Sequence, residues 1–165
     1  MAAWRREPPA DSLRWTDPDG CHLTLGFLGL VAPHHVNSLT RAIGGVAAAH
    51  RPMRVETGRL GAFHRPGNAQ VLWYGVADPD GALSTLAADL ARALGLAADD
   101  RYRPHITLAR ARRRSVDLRG WIEEASAGAP SGQLDVDAIR LMRSYLGRGP
   151  ARYETLASFV LGGAP

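Results

Sequence analysis

The chain has 165 residues, 45% apolar and 22% charged, which suits one domain or two small lobes and excludes wholesale disorder. A single cysteine, Cys21, excludes an internal disulfide framework and any cysteine-rich zinc site, and no apolar run is long enough for a transmembrane helix. Net charge is +4 and all 20 basic residues are arginine, whose planar forks match phosphate oxygens in pairs, so a phosphate-bearing partner fits.

Residues 1–20 are polar and carry Pro8, Pro9, Pro18 and Gly20. They read as an irregular arm with a short extended piece at Leu13–Trp15. The opening lacks the apolar core of a secretory signal, so a cytoplasmic location is expected. Cys21–Leu28 reads as a strand, with Leu23, Leu25 and Phe27 on one face and His22 and Thr24 on the other. Pro33 opens a helix whose apolar stripe is Val36, Leu39, Ile43 and Val46. Met53–Leu60 reads as a strand, 63–69 as a loop, and Gln70–Val76 as a second strand. Leu83, Leu86, Leu90 and Leu94 mark the clearest helix, stopped by Gly95. Tyr102–Arg110 reads as a strand with His105 and Thr107 on one face, and Ser115 is placed to cap a short helix. Leu134–Leu146 and Ala151–Leu161 read as a long antiparallel pair joined at 147–150. The elements lack a sustained βαβ rhythm, which predicts an α+β fold with antiparallel sheets.

One echo stands out. His22-Leu23-Thr24-Leu25 recurs as His105-Ile106-Thr107-Leu108, about half the chain away. Residues i and i+2 of a strand share a face, so each copy projects an imidazole and a hydroxyl together while Leu23 or Ile106 points into a core. Two such strands facing one cleft would gather two imidazoles and two hydroxyls around one point. That set suits phosphoryl transfer without a metal. A neutral histidine takes a proton from water, a protonated one gives a proton to the departing sugar oxygen, and the hydroxyls hold the non-bridging oxygens.

On these residues the chain resembles the two-histidine phosphoesterase superfamily, and more narrowly the RNA 2′,3′-cyclic phosphodiesterases, once called 2′-5′ RNA ligases. The likeness includes LRWTDPDGCHLTLGFLG at 13–29, GRLGAFHRPGNAQVLWYGV at 58–76, RYRPHITLAR at 101–110 and the closing ARYETLASFVL. It implies a bilobal, duplicated α+β fold, here one domain over 21–161, with antiparallel sheets around a central cleft and helices outside. It implies opening of RNA 2′,3′-cyclic phosphate ends to 2′-phosphomonoesters without cofactor or metal, and weak reversible 2′-5′ joining. By matching position His22 is the proton donor and His105 the acceptor, and Thr24 and Thr107 hold the phosphate. Arg110 matches an arginine often found after the second motif, although strict alternation turns it away from the His/Thr face. Members usually open with an apolar strand and helix; only the polar residues 1–20 precede His22 here, so that strand and helix are expected to be missing.

Other residues carry weaker signals. Phe63 and His64, beside the 63–69 loop, are candidate substrate contacts. The cluster Arg110, Arg112, Arg113 and Arg114 reads either as an RNA-backbone track or as a solvated turn. His34-His35 lacks a metal-site partner pattern. No G-x-x-x-x-G-K-[ST] or G-x-G-x-x-G loop is present. The expected partners are RNA with 2′,3′-cyclic phosphate ends or cyclic nucleotides, with no membrane and no obligate protein partner. Two other readings stay open: a hydrolase of another small cyclic phosphate ester, and a non-catalytic module that binds RNA ends.

Overall fold

Two antiparallel sheets organise the computed structural model, which describes residues 10–97, 101–145, 147 and 151–162. The larger sheet has the order β1-β4-β3-β2-β5, from β1 (Leu13–Trp15), β2 (Met53–Phe63), β3 (Val71–Val76), β4 (His105–Ala111) and β5 (Gly132–Val136). The smaller sheet pairs β6 (Ala138–Tyr145) with β7 (Arg152–Val160). The helices are α1 (Val36–Ala49), α2 (Ala82–Ala93) and α3 (Arg119–Ala127).

Period-two patterning assigns the faces of the large sheet. Leu60 and Ala62 of β2, Leu72 and Tyr74 of β3, Ala109 of β4 and Leu13 and Trp15 of β1 gather with Trp121 and Ile122 of α3 in one apolar cluster. Val55 and Val76 meet Leu83 of α2 in a second cluster, where Leu23 and Ile106 also pack. The small sheet buries Ile139 and Leu141 against Ile43 and Ala47 of α1 and Leu86 and Leu90 of α2. Gly44 of α1 faces the Phe159 ring of β7, where a Cβ would make an ordinary contact at 3.5 Å.

Several expected elements change extent or partner. Leu13–Trp15 is the edge strand of the large sheet, with Leu13 opposite Ala111 and Trp15 opposite Ala109. Arg112 Nε donates to the Leu13 carbonyl at 3.0 Å, latching that edge. The expected strand Cys21–Leu28 is not a strand: the segment makes one isolated antiparallel bridge, Leu23 to Ile106. A strand needs a ladder of partners, and β1 already occupies the far half of β4. β2 runs on to Phe63, into the expected loop, because its last residues pair with β3 up to Val71. The expected run 134–146 divides at Asp137, where Val136 pairs with β2 and Ala138 with β7. The inward apolar positions shift there from Leu134 and Val136 to Ile139 and Leu141, so the phase of the alternation changes where the partner does. α3 starts at Arg119 rather than after Ser115, and the Asp117 carboxylate accepts from the Arg119 N–H at 3.1 Å. Part of the expected turn at 147–150 lies outside the described residues. Among the described residues, no helix is long and apolar enough to cross a membrane.

Asp78 fixes the start of α2. Its carboxylate accepts from the backbone N–H groups of Leu83 and Ser84, each at 2.9 Å, and from the Ser84 hydroxyl at 2.7 Å. Burial disfavours its charge, but the bonds from Ser84 and Leu83 outweigh that and hold its pKa below the ordinary carboxylate value. The charged form therefore stabilises the fold above the unfolded carboxylate pKa, and the contribution fades as pH falls through the lower folded value. Asp78→Ala is expected to cost about 1 kcal/mol in urea unfolding at pH 7. The gap from the parent protein should narrow as the medium is acidified below about pH 4.

Candidate active site

The bridge between Leu23 and Ile106 sets the geometry of the site. In an antiparallel pair, one step either way aligns His22 with Thr107 and Thr24 with His105. Leu23 and Ile106 both enter the same apolar cluster, so the four polar side chains share the opposite face. The local two-fold axis runs through the bridge. The shared face expected for each His/Thr pair, the inward turn of Leu23 and Ile106, and the meeting of the two copies all hold in this register.

Both imidazoles are anchored alike. His22 Nδ1 lies 2.8 Å from the Gly20 carbonyl, and His105 Nδ1 lies 2.6 Å from the Arg103 carbonyl. A carbonyl oxygen only accepts, so in this geometry each Nδ1 carries the proton. That leaves Nε2 of each ring as the nitrogen able to act as a base when the ring is neutral and as an acid when it is charged. An aromatic ring braces each imidazole edge-on: Tyr153 stands 4.7 Å from His22 and Phe63 stands 4.9 Å from His105, centroid to centroid. The Tyr102 hydroxyl donates to the Thr24 carbonyl at 3.2 Å and ties the two motifs together. Burial, aided by the charge of Asp78, pushes the Tyr102 pKa up, so the phenol stays a neutral donor.

Arg110 differs from the expectation of strict alternation. Trp73 opposes Thr107 and Leu72 opposes Ala109, so β4 holds one extra residue there. This bulge resets the alternation. Arg110 opposes Val71, which shares a face with Trp73 and hence with Thr107 and His105. Arg110 is exposed and lies on the His/Thr face. Phe63 is also on this face, opposite Val71. His64 is exposed just past the end of β2, and among the described residues no contact between it and either motif histidine is found. Arg112 holds β1, whereas Arg113 and Arg114 are exposed in the bend that follows β4.

Trp73 and Gly61 form the floor beside the second motif. They are paired on β3 and β2, and the indole lies flat over Gly61, where a Cβ would come within 2.2 Å of the ring. Phe63 packs against Trp73 at 5.6 Å, which leads the aromatic surface to His105. A hollow of about 490 Å³ is lined by Tyr145, Arg152, Tyr153 and Glu154, and of these Tyr153 also meets the His22 ring. Sequence reasoning missed Tyr153 and Tyr102 as site residues. Both lie in the stretches that carry the family resemblance, but only the fold shows which rings reach the motifs.

The family model described as the 2′-5′ RNA ligase superfamily matches residues 2–148. A Geobacillus stearothermophilus protein named RNA 2′,3′-cyclic phosphodiesterase is 34% identical over 92% of this chain and 48% of its own length. A namesake from Archaeoglobus fulgidus is 29% identical over 87% of this chain and 81% of its own. The chain thus spans about half of the first relative and about four fifths of the second. Among solved structures, the Thermus thermophilus protein TT0787 shares the fold with a TM-score of 0.76 at 23% identity, over 98% of this chain and 89% of that one. Apo LigT of E. coli has a TM-score of 0.69 at 26% identity, over 98% and 88%. With the family model covering most of the chain and both motif histidines, the chain belongs to the 2′-5′ RNA ligase superfamily.

Proposed function

We propose that this chain is a phosphoesterase that opens the 2′,3′-cyclic phosphate at an RNA end to a 2′-phosphomonoester, by general acid/base catalysis from its two motif histidines. The observation that carries the reading is the paired anchoring. Two imidazoles on one face each commit Nδ1 to a backbone carbonyl and leave Nε2 for a proton. His105 Nε2 takes a proton from the attacking water as its oxygen bonds to phosphorus. The bond from phosphorus to O3′ breaks, and His22 Nε2 delivers its proton to O3′. Thr24 and Thr107 donate to the non-bridging oxygens, and Arg110 offsets their charge. A 5′-hydroxyl in place of water would give a 2′-5′ bond by the same route, and the reverse step exchanges the acid and base roles.

The side chains supply an acid, a base and anion contacts, so the step is complete without a metal. RNA as substrate rests on the names of the relatives, RNA 2′,3′-cyclic phosphodiesterase, and on the net charge of +4, carried by arginine without lysine. Nucleotide recognition fits the neighbouring structures of E. coli LigT complexed with 3′-AMP and with ATP. The Phe63–Trp73 surface and Tyr153 flank the reacting centre on opposite sides, where a base can stack.

Single variants His22→Ala and His105→Ala should each lower kcat by roughly 10²–10⁴-fold on an RNA oligomer ending in a 2′,3′-cyclic phosphate. The parent enzyme should give a bell-shaped dependence of kcat/KM on pH, with each variant losing one limb. Undiminished turnover in either variant contradicts the mechanism. The same assay in excess EDTA should run at an unchanged rate; a loss restored by added divalent cation contradicts metal independence.

A further inference from the structure

The bulge that turns Arg110 onto the reacting face has a second effect. In β1, Arg14 lies directly opposite Arg110. Its neighbours Leu13 and Trp15 both pack into the apolar cluster on the other side of the sheet, so Arg14 also occupies the reacting face. Six side chains then form three cross-strand rows: His105 with Thr24, Thr107 with His22, and Arg110 with Arg14. The first two rows obey the local two-fold axis. The arginine row breaks it, extending the site at one end only, beyond His22 and Thr107.

From this juxtaposition we propose that Arg14, paired with Arg110, forms a second phosphate subsite for the phosphodiester on the 5′ side of the terminal nucleotide. The inference rests on the cyclic-phosphate reading of the site. Thr107 and Arg110 are separated by two residue steps on the partner strand, Trp73 to Val71, or roughly 7 Å. That spacing is comparable to successive phosphates in an RNA strand. Polarity agrees: His22 serves the ribose oxygen that leaves, so the ribose lies on the His22 side, and its 5′ linkage runs toward the arginine row. Two guanidinium forks on adjacent strands suit one phosphodiester, whose two free oxygens each take charge-assisted bonds. Arg14 thereby becomes a specificity residue that favours RNA ends over cyclic mononucleotides.

The test compares three substrates: a 2′,3′-cyclic mononucleotide, a dinucleotide ending in the cyclic phosphate, and that dinucleotide with its linking phosphate replaced by an uncharged methylphosphonate. The parent enzyme should prefer the charged dinucleotide over the methylphosphonate by about tenfold or more in kcat/KM. Arg14→Gln should remove most of that preference through KM, and Arg14→Lys should restore part of it. An undiminished preference in Arg14→Gln, or an equal loss on all three substrates, overturns the subsite. The 2′-phosphorylated dinucleotide and its methylphosphonate analogue, titrated by calorimetry, give a readout independent of turnover. If the parent protein hydrolyses none of the substrates, the catalytic reading fails. Arg14-dependent discrimination in the titration would still support the subsite, and its absence would refute it.

Discussion

Everything at this site depends on one register. Leu23 opposite Ile106 is a single bridge, yet both residues are anchored in the same apolar cluster, with Val55, Val76 and Leu83. A slip of one residue would turn Leu23 or Ile106 to solvent and drive a histidine and a threonine into that cluster. The unfavourable burial of those polar groups fixes the pairing more firmly than the bridge hydrogen bonds do. The core therefore positions the chemistry, even though the segment around His22 has no strand ladder of its own.

The large sheet divides its labour by face. One face is apolar and covered by α2 and α3. The other carries the imidazoles, the hydroxyls, Phe63, Trp73 and the arginine row. The bulge in β4 links the two duties: Leu108 and Ala109 are both buried, so a side chain that alternation would waste is used for packing, and Arg110 is turned to the reacting face. Gly61 serves the same face by leaving room for the Trp73 ring.

Much of this was legible in the sequence. The duplicated motif, its alternation and the leucine spacing of α2 state their own geometry, because faces follow from period alone. Partners do not. The change of apolar phase between Leu134/Val136 and Ile139/Leu141 marks a break near Asp137 but not that its two sides join different sheets, and the pairing of 13–15 with β4 joins residues almost a hundred positions apart. The bulge was likewise hidden: HITLARA reads as an ordinary alternating strand, and only pairing with β3 reveals the extra residue. Tyr153 and Tyr102 reach the motifs from distant segments, a relation that no local pattern encodes.

The central proposal is that the two motif histidines together open the cyclic phosphate at its bond to O3′. Phosphorus NMR of an RNA oligomer ending in a 2′,3′-cyclic phosphate, followed with the parent protein and with the doubly substituted His22→Ala/His105→Ala protein, tests this most directly. The account predicts a 2′-phosphomonoester as sole product, formed only by the parent protein. A 3′-phosphomonoester, a cyclic signal that never changes, or equal conversion by the doubly substituted protein would contradict it.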